Sequence, residues 1–456
     1  MKHAISVLTA ALLCAALPTR APASGELAQY VAQPDASYRW KIVQSGKLHS
    51  AEYVEVILTS QTWRGFEWKH QLFLLRPKQM DNSGQALLYI DGGRWNDTYE
   101  SGLTDLPREA AVFARLAESI HAPVVVVRQV PFQPLFDRRE DALIAYTFDR
   151  YLESGESDWP LLLPMVKAAA RAMDTAHAVA LDRWNVNIAR FTVAGASKRG
   201  WTSWLTAATD PRVTSVAPMV IDMLNIRAQI QLQHDTFGEL SEQIRDYQDI
   251  DLPGRIGSDR GRELLEMVDP YQYRASLTQP KLILLGTNDR YWPLDALGVY
   301  WDALKEPKRV LYVPNQGHGM RDLQRVIGAL SALHRYSARG EPLPALSWTF
   351  NSSPRALEVS VQAGRKPARV TVWRASSATR DFREAHWLSH DCPASRGGFR
   401  CSQPLTPTQY TAIYSEVTFK ERSEEDFSLS TAVCIVDAAG AMVRPCTDNS
   451  GDATGH

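Results

Sequence analysis

Phe191-Thr192-Val193-Ala194-Gly195-Ala196-Ser197-Lys198-Arg199-Gly200 is an apolar run that ends in a turn of small residues. Trp201, Trp204, Leu205 and Ala208 follow at i, i+3, i+4 and i+7, the spacing of one helix face. The segment therefore reads as strand, sharp turn and helix, with Ser197 at the tip. A serine there sits in strained backbone, so its neighbours must be small. Its Oγ projects above the sheet, and the next N–H points at charge developing on a substrate oxygen. Arg199 stands where a glycine is usual in G-x-S-x-G, and the glycine comes one residue later. Taken alone, the segment also fits a glycine-rich turn that holds a phosphate.

Outward from this turn, strand-like runs alternate with helical segments. The runs are Val54–Leu58, Leu72–Leu75, Ala86–Ile90, Val124–Val127, Phe191–Ala194, Val213–Ile221, Lys281–Leu285 and Arg309–Val313. Several are continuously apolar rather than alternating, as in strands covered on both faces of a mostly parallel sheet. Pro164–Ala180 has helix-favouring composition. These features predict a doubly wound α/β domain over residues 24–340. About 60 residues separate the Val213 and Lys281 runs, which predicts a helical lid insertion at about 223–275. After the Gly/Pro-rich stretch Arg339–Pro344, polar residues alternate with Leu357, Val359 and Val361, and again with Val370 and Val372. Period-two alternation predicts a small C-terminal β-sandwich over 347–447.

The formal net charge of -1 supplies no attraction for nucleic acid or an acidic membrane surface. Met1-Lys2-His3, an apolar run to Leu17 and Ala21-Pro22-Ala23 have the layout of a secretory signal peptide over residues 1–23. Cys14 lies in that run, but Leu12 and Leu13 stand where a lipoprotein signal needs small residues. No later stretch is apolar enough to span a bilayer, so no stable membrane insertion is expected. Four cysteines remain after the signal, at 392, 401, 434 and 446. In an oxidising compartment they read as two disulfides. Of three possible pairings, Cys392–Cys401 and Cys434–Cys446 close the shortest loops.

Leu282–Leu285 leads through Gly286-Thr287-Asn288 to Asp289, and Arg309–Val313 leads to His318 between two glycines. Both side chains leave strands at the carboxyl edge, where ligands bind in this fold class. The order Ser197, Asp289, His318 is similar to that of α/β-hydrolases. Each type suits the chemistry: serine attacks, histidine carries its proton, and the carboxylate holds the histidine tautomer. Asp222, after the strand that follows the elbow, is the rival acid. Gly92 and Gly93, after an earlier strand, are candidates for the second oxyanion donor. Asp91 and Arg94 read either as a pair with each other or as a substrate contact. Lys198 beside the serine is a candidate for the oxyanion or for a substrate carboxylate, with an ordinary ion pair as the alternative.

The segments Ser60-Gln61-Thr62-Trp63 with Trp68-Lys69-His70, Asp91-Gly92-Gly93-Arg94, Trp159-Pro160, Ala194 to Trp201 and Arg380-Asp381-Phe382-Arg383 together carry a family likeness. The chain resembles the PhoPQ-activated pathogenicity-related proteins, including those of the autocrine proliferation repressor A type. Its elbow is also similar to that of glucuronoyl esterases, where a basic residue follows the serine. The resemblance implies an α/β-hydrolase fold, export and a β-rich C-terminal domain, but it names no substrate.

The sequence thus points to an exported serine hydrolase, most simply a carboxylic-ester hydrolase, with Ser197, Asp289 and His318 as its triad. It would act on a small molecule or peptide, one bearing a carboxylate if Lys198 is a contact, with no cofactor or metal. The alternatives are a binding or signalling protein that keeps the fold, and a serine peptidase for small peptides.

Overall fold

The structure, a computed structural model, describes residues 25–102, 105–421 and 424–449. The signal peptide expected at 1–23 lies outside the described residues. Helix α1 (Glu26–Ala32) precedes three antiparallel strands, β1 (Arg39–Leu48), β2 (Ala51–Trp63) and β3 (Phe66–Arg76). Next come β4 (Gln85–Ile90), α2 (Ala110–Ile120), β5 (Val124–Val127), α3 (Glu140–Ser154) and α4 (Leu162–Trp184). Strand β6 (Arg190–Ala196), helix α5 (Lys198–Thr209) and strand β7 (Val213–Met219) form the centre. Four helices, α6 (Ile226–Phe237), α7 (Arg245–Asp249), α8 (Leu252–Arg255) and α9 (Asp259–Val268), occupy the long interval before β8 (Lys281–Gly286). Strand β9 (Lys308–Val313) and α10 (Leu323–Ala338) follow.

Across the sheet these strands run β1-β2-β3-β5-β4-β6-β7-β8-β9. From β5 to β9 every neighbouring pair is parallel. This is the α/β-hydrolase architecture, with β1 as an added edge strand. Strands β5, β8 and β9 are buried along their whole length, which is why they read as unbroken apolar runs. Helices α1, α4 and α5 pack together, and α2 packs on α10. The strand order reverses at β4, whose neighbours are β5 on one side and β6 on the other. A crevice opens at the carboxyl ends of strands at such a reversal, and Gly92 and Ser197 follow β4 and β6 there. Among the described residues no helix is long and apolar enough to cross a membrane.

The C-terminal region is antiparallel. Strands β10 (Leu346–Ser352), β11 (Ala356–Ala363) and β12 (Arg369–Ser377) are followed by β13 (Leu388–Asp391), β14 (Ala394–Ser395) and β15 (Gly398–Pro404). Strands β16 (Tyr410–Phe419), β17 (Phe427–Ser430) and β18 (Cys434–Val436) complete it. One sheet is β10-β11-β15-β14. The other, β17-β16-β12-β13, is joined to the free edge of β9, where Ser430 faces Val310. Disulfides Cys392–Cys401 and Cys434–Cys446 staple this region.

The side chain of Ser430 makes the junction with β9. Its Oγ accepts from the Tyr312 N–H at 2.9 Å and donates to the Val310 carbonyl at 3.3 Å. Ser430→Val leaves the buried Tyr312 N–H without its acceptor, at a cost of about 1–3 kcal/mol. A lowered but single thermal transition is expected by calorimetry. Two separate transitions in the unmodified chain would show that the C-terminal strands fold independently of the sheet.

Candidate active site

Ser197 adopts φ 57° and ψ −131°, outside the regions favoured by L-residues. Its N–H donates to the Met219 carbonyl of β7 at 2.9 Å, which pins the tip across the neighbouring strand. The close approaches fall at residues 195 and 200. A Cβ on Gly195 would lie 2.6 Å from the Arg199 carbonyl oxygen, and one on Gly200 would lie 2.7 Å from Ile221 Cγ2. The atoms that a Gly195 side chain would strike belong to residue 199 itself, so the arginine is accommodated because position 195 is glycine. Helix α5 starts at Lys198 without a side-chain cap, and first-turn N–H groups have no acceptor within the helix.

Asp289 and His318 leave β8 and β9 at the same sheet edge and meet. His318 Nδ1 donates to Asp289 Oδ2 at 2.9 Å, with Oδ1 at 3.2 Å. The Tyr291 N–H donates to Asp289 Oδ1 at 3.0 Å, and the Tyr291 ring stacks on the imidazole at 4.1 Å between centroids. His318 Nε2 is buried and has no hydrogen-bond partner. Asp222 stands apart from the imidazole and accepts from Tyr300 Oη at 2.6 Å. Burial pushes its carboxyl up to about 8 against the Tyr300 hydrogen bond, and the charges of Asp289 and Asp295 add to the rise. A carboxyl that holds its proton at neutral pH is poorly suited to stabilise an imidazolium.

Arg199 reaches under the Gly92–Gly93 turn. Its guanidinium lies so close that a Cβ on Gly92 would be 2.6 Å from it. Its Nε donates to the Val130 carbonyl at 2.6 Å, and its two terminal nitrogens form a fork on the Glu140 carboxylate, both at 2.8 Å. Gln133 Nε2 donates to Glu140 Oε1 and to the Gly93 carbonyl, while the Gln129 N–H donates to the Gly92 carbonyl. Four chain segments are thereby tied at one point. Burial alone would raise the Glu140 carboxyl, but the Arg199 hydrogen bonds and charge, with Lys198, hold it down to about 2. The Lys198 ammonium lies 2.9 Å from Glu140 and 3.0 Å from Asp141, with 7% of its side chain exposed. A substrate contact through that ammonium has to displace a carboxylate.

Asp91 pairs with Arg128, at 3.4 Å, rather than with Arg94. The parallel register of β4 and β5, with Ile90 opposite Val127, brings the two residues side by side. Burial pushes the Asp91 carboxyl up, and the charge of Arg128 opposes that rise. Glu140 carried no signal in the sequence. It opens helix α3 some 60 residues before its partner, and only a count of buried cations without local carboxylates could have called for it. Among the described residues no group of three or more histidine, cysteine and acidic side chains is placed to hold a metal ion.

A sequence model of the PhoPQ-activated pathogenicity-related proteins matches residues 27–383. Autocrine proliferation repressor protein A of Dictyostelium discoideum is 29% identical over 384 residues, spanning 79% of this chain and 76% of that protein. Among solved structures, an acetyl xylan esterase from Paenibacillus sp. R4 is similar at TM-score 0.46 and 16% identity, over 66% of this chain and 91% of that one. Acetyl xylan esterase 1 from Thermoanaerobacterium sp. JW/SL YS485 is similar at 0.43 and 17%, over 69% and 96%.

Arg199→Met removes the fork on Glu140. Because 42% of the Glu140 side chain is exposed, solvent screens the loss, and about 1 kcal/mol of stability at neutral pH is expected to go rather than the several of a fully buried pair. The depressed Glu140 carboxyl contributes stability that is complete above its ordinary value of 4.5 and fades as pH falls toward 2. Denaturant titrations over that window should therefore be flatter in the variant. An acid limb identical in both proteins would show that Arg199 does not hold Glu140.

Proposed function

The chain belongs to the PhoPQ-activated pathogenicity-related protein family, and from that premise we propose that it is an exported serine hydrolase that cleaves carboxylic esters through an acyl-enzyme. The observation that carries this reading is the state of His318. One ring nitrogen is held by Asp289, and the other is buried and unbonded, while Ser197 stands at the strained turn that follows β6 at the same sheet edge. In apo hydrolases the serine–histidine hydrogen bond is often long and tightens when substrate binds.

In the proposed cycle His318 Nε2 takes the proton of Ser197 Oγ as the oxygen attacks the ester carbonyl. The Lys198 and Gly93 N–H groups receive the oxyanion. His318 then gives the proton to the departing alkoxide, and a water deprotonated by the same nitrogen releases the acid and restores Ser197. Asp289 fixes the Nδ1–H tautomer and balances the imidazolium charge. The helices between β7 and β8 form a lid, and the substrate is a small molecule. Two disulfides fit an oxidising compartment, the periplasm or the outside of the cell. A signalling role without catalysis draws its support from the name of the Dictyostelium relative, a proliferation repressor.

A fluorophosphonate probe should label the native protein at Ser197, and Ser197→Ala should remove both label and ester hydrolysis. Asp289→Asn should lower kcat by about 10⁴-fold, whereas Asp222→Asn should leave it nearly unchanged. Native protein that resists the probe at Ser197 would overturn the enzymatic reading, and a Ser197→Ala protein with full biological effect would favour signalling. An Asp222 variant as impaired as Asp289→Asn would move the acid to position 222.

A further inference from the structure

The Arg380–Trp387 segment connects β12 to β13 in the C-terminal region, yet it docks against both loops that carry Asp289 and His318. Asn288 precedes the acid directly. Its Nδ2 donates to the Ala385 carbonyl at 2.7 Å and lies 3.2 Å from the Arg383 and 3.4 Å from the Phe382 carbonyl. Asn315 stands three residues before the histidine. Its Nδ2 donates to the Trp387 carbonyl at 3.0 Å, and its Oδ1 accepts the Trp387 N–H at 2.8 Å. The reciprocal pair fixes the side chain in one orientation. Asn315 has φ 55°, a conformation that asparagine tolerates better than most residues.

The two loops are also laced to each other. The Asn315 N–H donates to Thr287 Oγ1 at 2.9 Å, and that hydroxyl donates to Asn288 Oδ1 at 2.8 Å. The Asn288 N–H donates to the Gln316 carbonyl at 2.9 Å. Gly286 permits this approach, since a Cβ there would be 2.5 Å from the Gln316 oxygen. The docking segment is itself immobilised, because Phe382 and Trp387 are buried and Trp387 packs edge-on against Tyr414 of β16 at 5.3 Å. Both asparagines therefore join short loops at the catalytic edge to a fixed wall.

We propose that Asn288 and Asn315 are positioning residues through which the C-terminal strands set the Asp289–His318 pair. The inference rests on the serine-hydrolase reading of that pair. It accounts for the Arg380-Asp381-Phe382-Arg383 motif lying outside the α/β domain: the segment supplies the carbonyls and the Trp387 peptide that the two asparagines grip. A displacement of about 1 Å at a catalytic group costs about 100-fold in rate, so small shifts in these loops have large consequences.

The test uses the full chain with Asn288→Ala, Asn315→Ala and the double variant. It compares kcat and KM for 4-nitrophenyl acetate, thermal midpoints, and the low-field proton resonance of the Nδ1–H shared by His318 and Asp289. The expected result is a fall in kcat of about 10- to 100-fold with KM little changed, and a shifted or broadened resonance. An unchanged kcat and resonance would overturn the proposal. So would a lowered thermal midpoint with the resonance intact, since the asparagines would then support the fold alone. Should an alanine variant fail to fold, Asn288→Ser and Asn315→Ser remain polar but are too short to reach the docking segment, and they carry the same test. The resonance is read without turnover, so failure of the hydrolase reading, seen as native protein unlabelled at Ser197, is distinguishable from failure of this one.

Discussion

The chain must turn from β6 into α5 at a single residue, and this constraint organises the site. Ser197 takes the strain, with φ 57° and ψ −131°, and its N–H is pinned to β7. A residue in so sparse a region persists only where its surroundings over-determine it. Here glycines at 195 and 200 let the first turn of α5 fold back against β6 and β7, and the Arg199 fork on Glu140 ties the same turn to the Gly92–Gly93 segment. Rigidity beneath the tip keeps Ser197 and the neighbouring turn in fixed relation, as the proposed oxyanion role requires.

Charge around the site is arranged in layers. Beneath the serine, two cations and two carboxylates neutralise each other, so the floor is rigid and nearly neutral. At the edge where β8 and β9 end, Asp289 is paired with His318 and accepts the Tyr291 N–H, while the buried Asp222 accepts from Tyr300 and burial pushes its carboxyl up. Of the two carboxyls, only Asp289 touches the imidazole, and Asp222 is taken up by Tyr300. The docked Arg380–Trp387 segment closes this edge from outside the α/β domain.

Much of this was legible from residue order. The eight strand runs recur as β2 to β9, because unbroken apolar stretches have few alternatives to a doubly covered sheet. The elbow was legible from small residues between a strand and a helix face, although Arg199 broke the expected pattern. Its tolerance follows from packing: Gly195 leaves room for the backbone and Cβ of Arg199, which spacing within G-x-S-x-G does not reveal. Lys198 illustrates the limit of local reading, since its partners Glu140 and Asp141 open a different helix. The join of β17 to β9 was equally invisible, because an edge strand does not record in its own residues which edge it will meet.

By itself the sequence determined the eight runs of the main sheet, their order and the edge at which Ser197, Asp289 and His318 emerge, since periodicity and turn chemistry act over a few neighbours. Only the tertiary structure decided which carboxylate meets His318, which cations are already paired, and that Asn288 and Asn315 grip a segment 72 to 97 residues away. Those outcomes depend on strand register and on the sheet order that lays distant segments side by side, and no single stretch of chain carries that information.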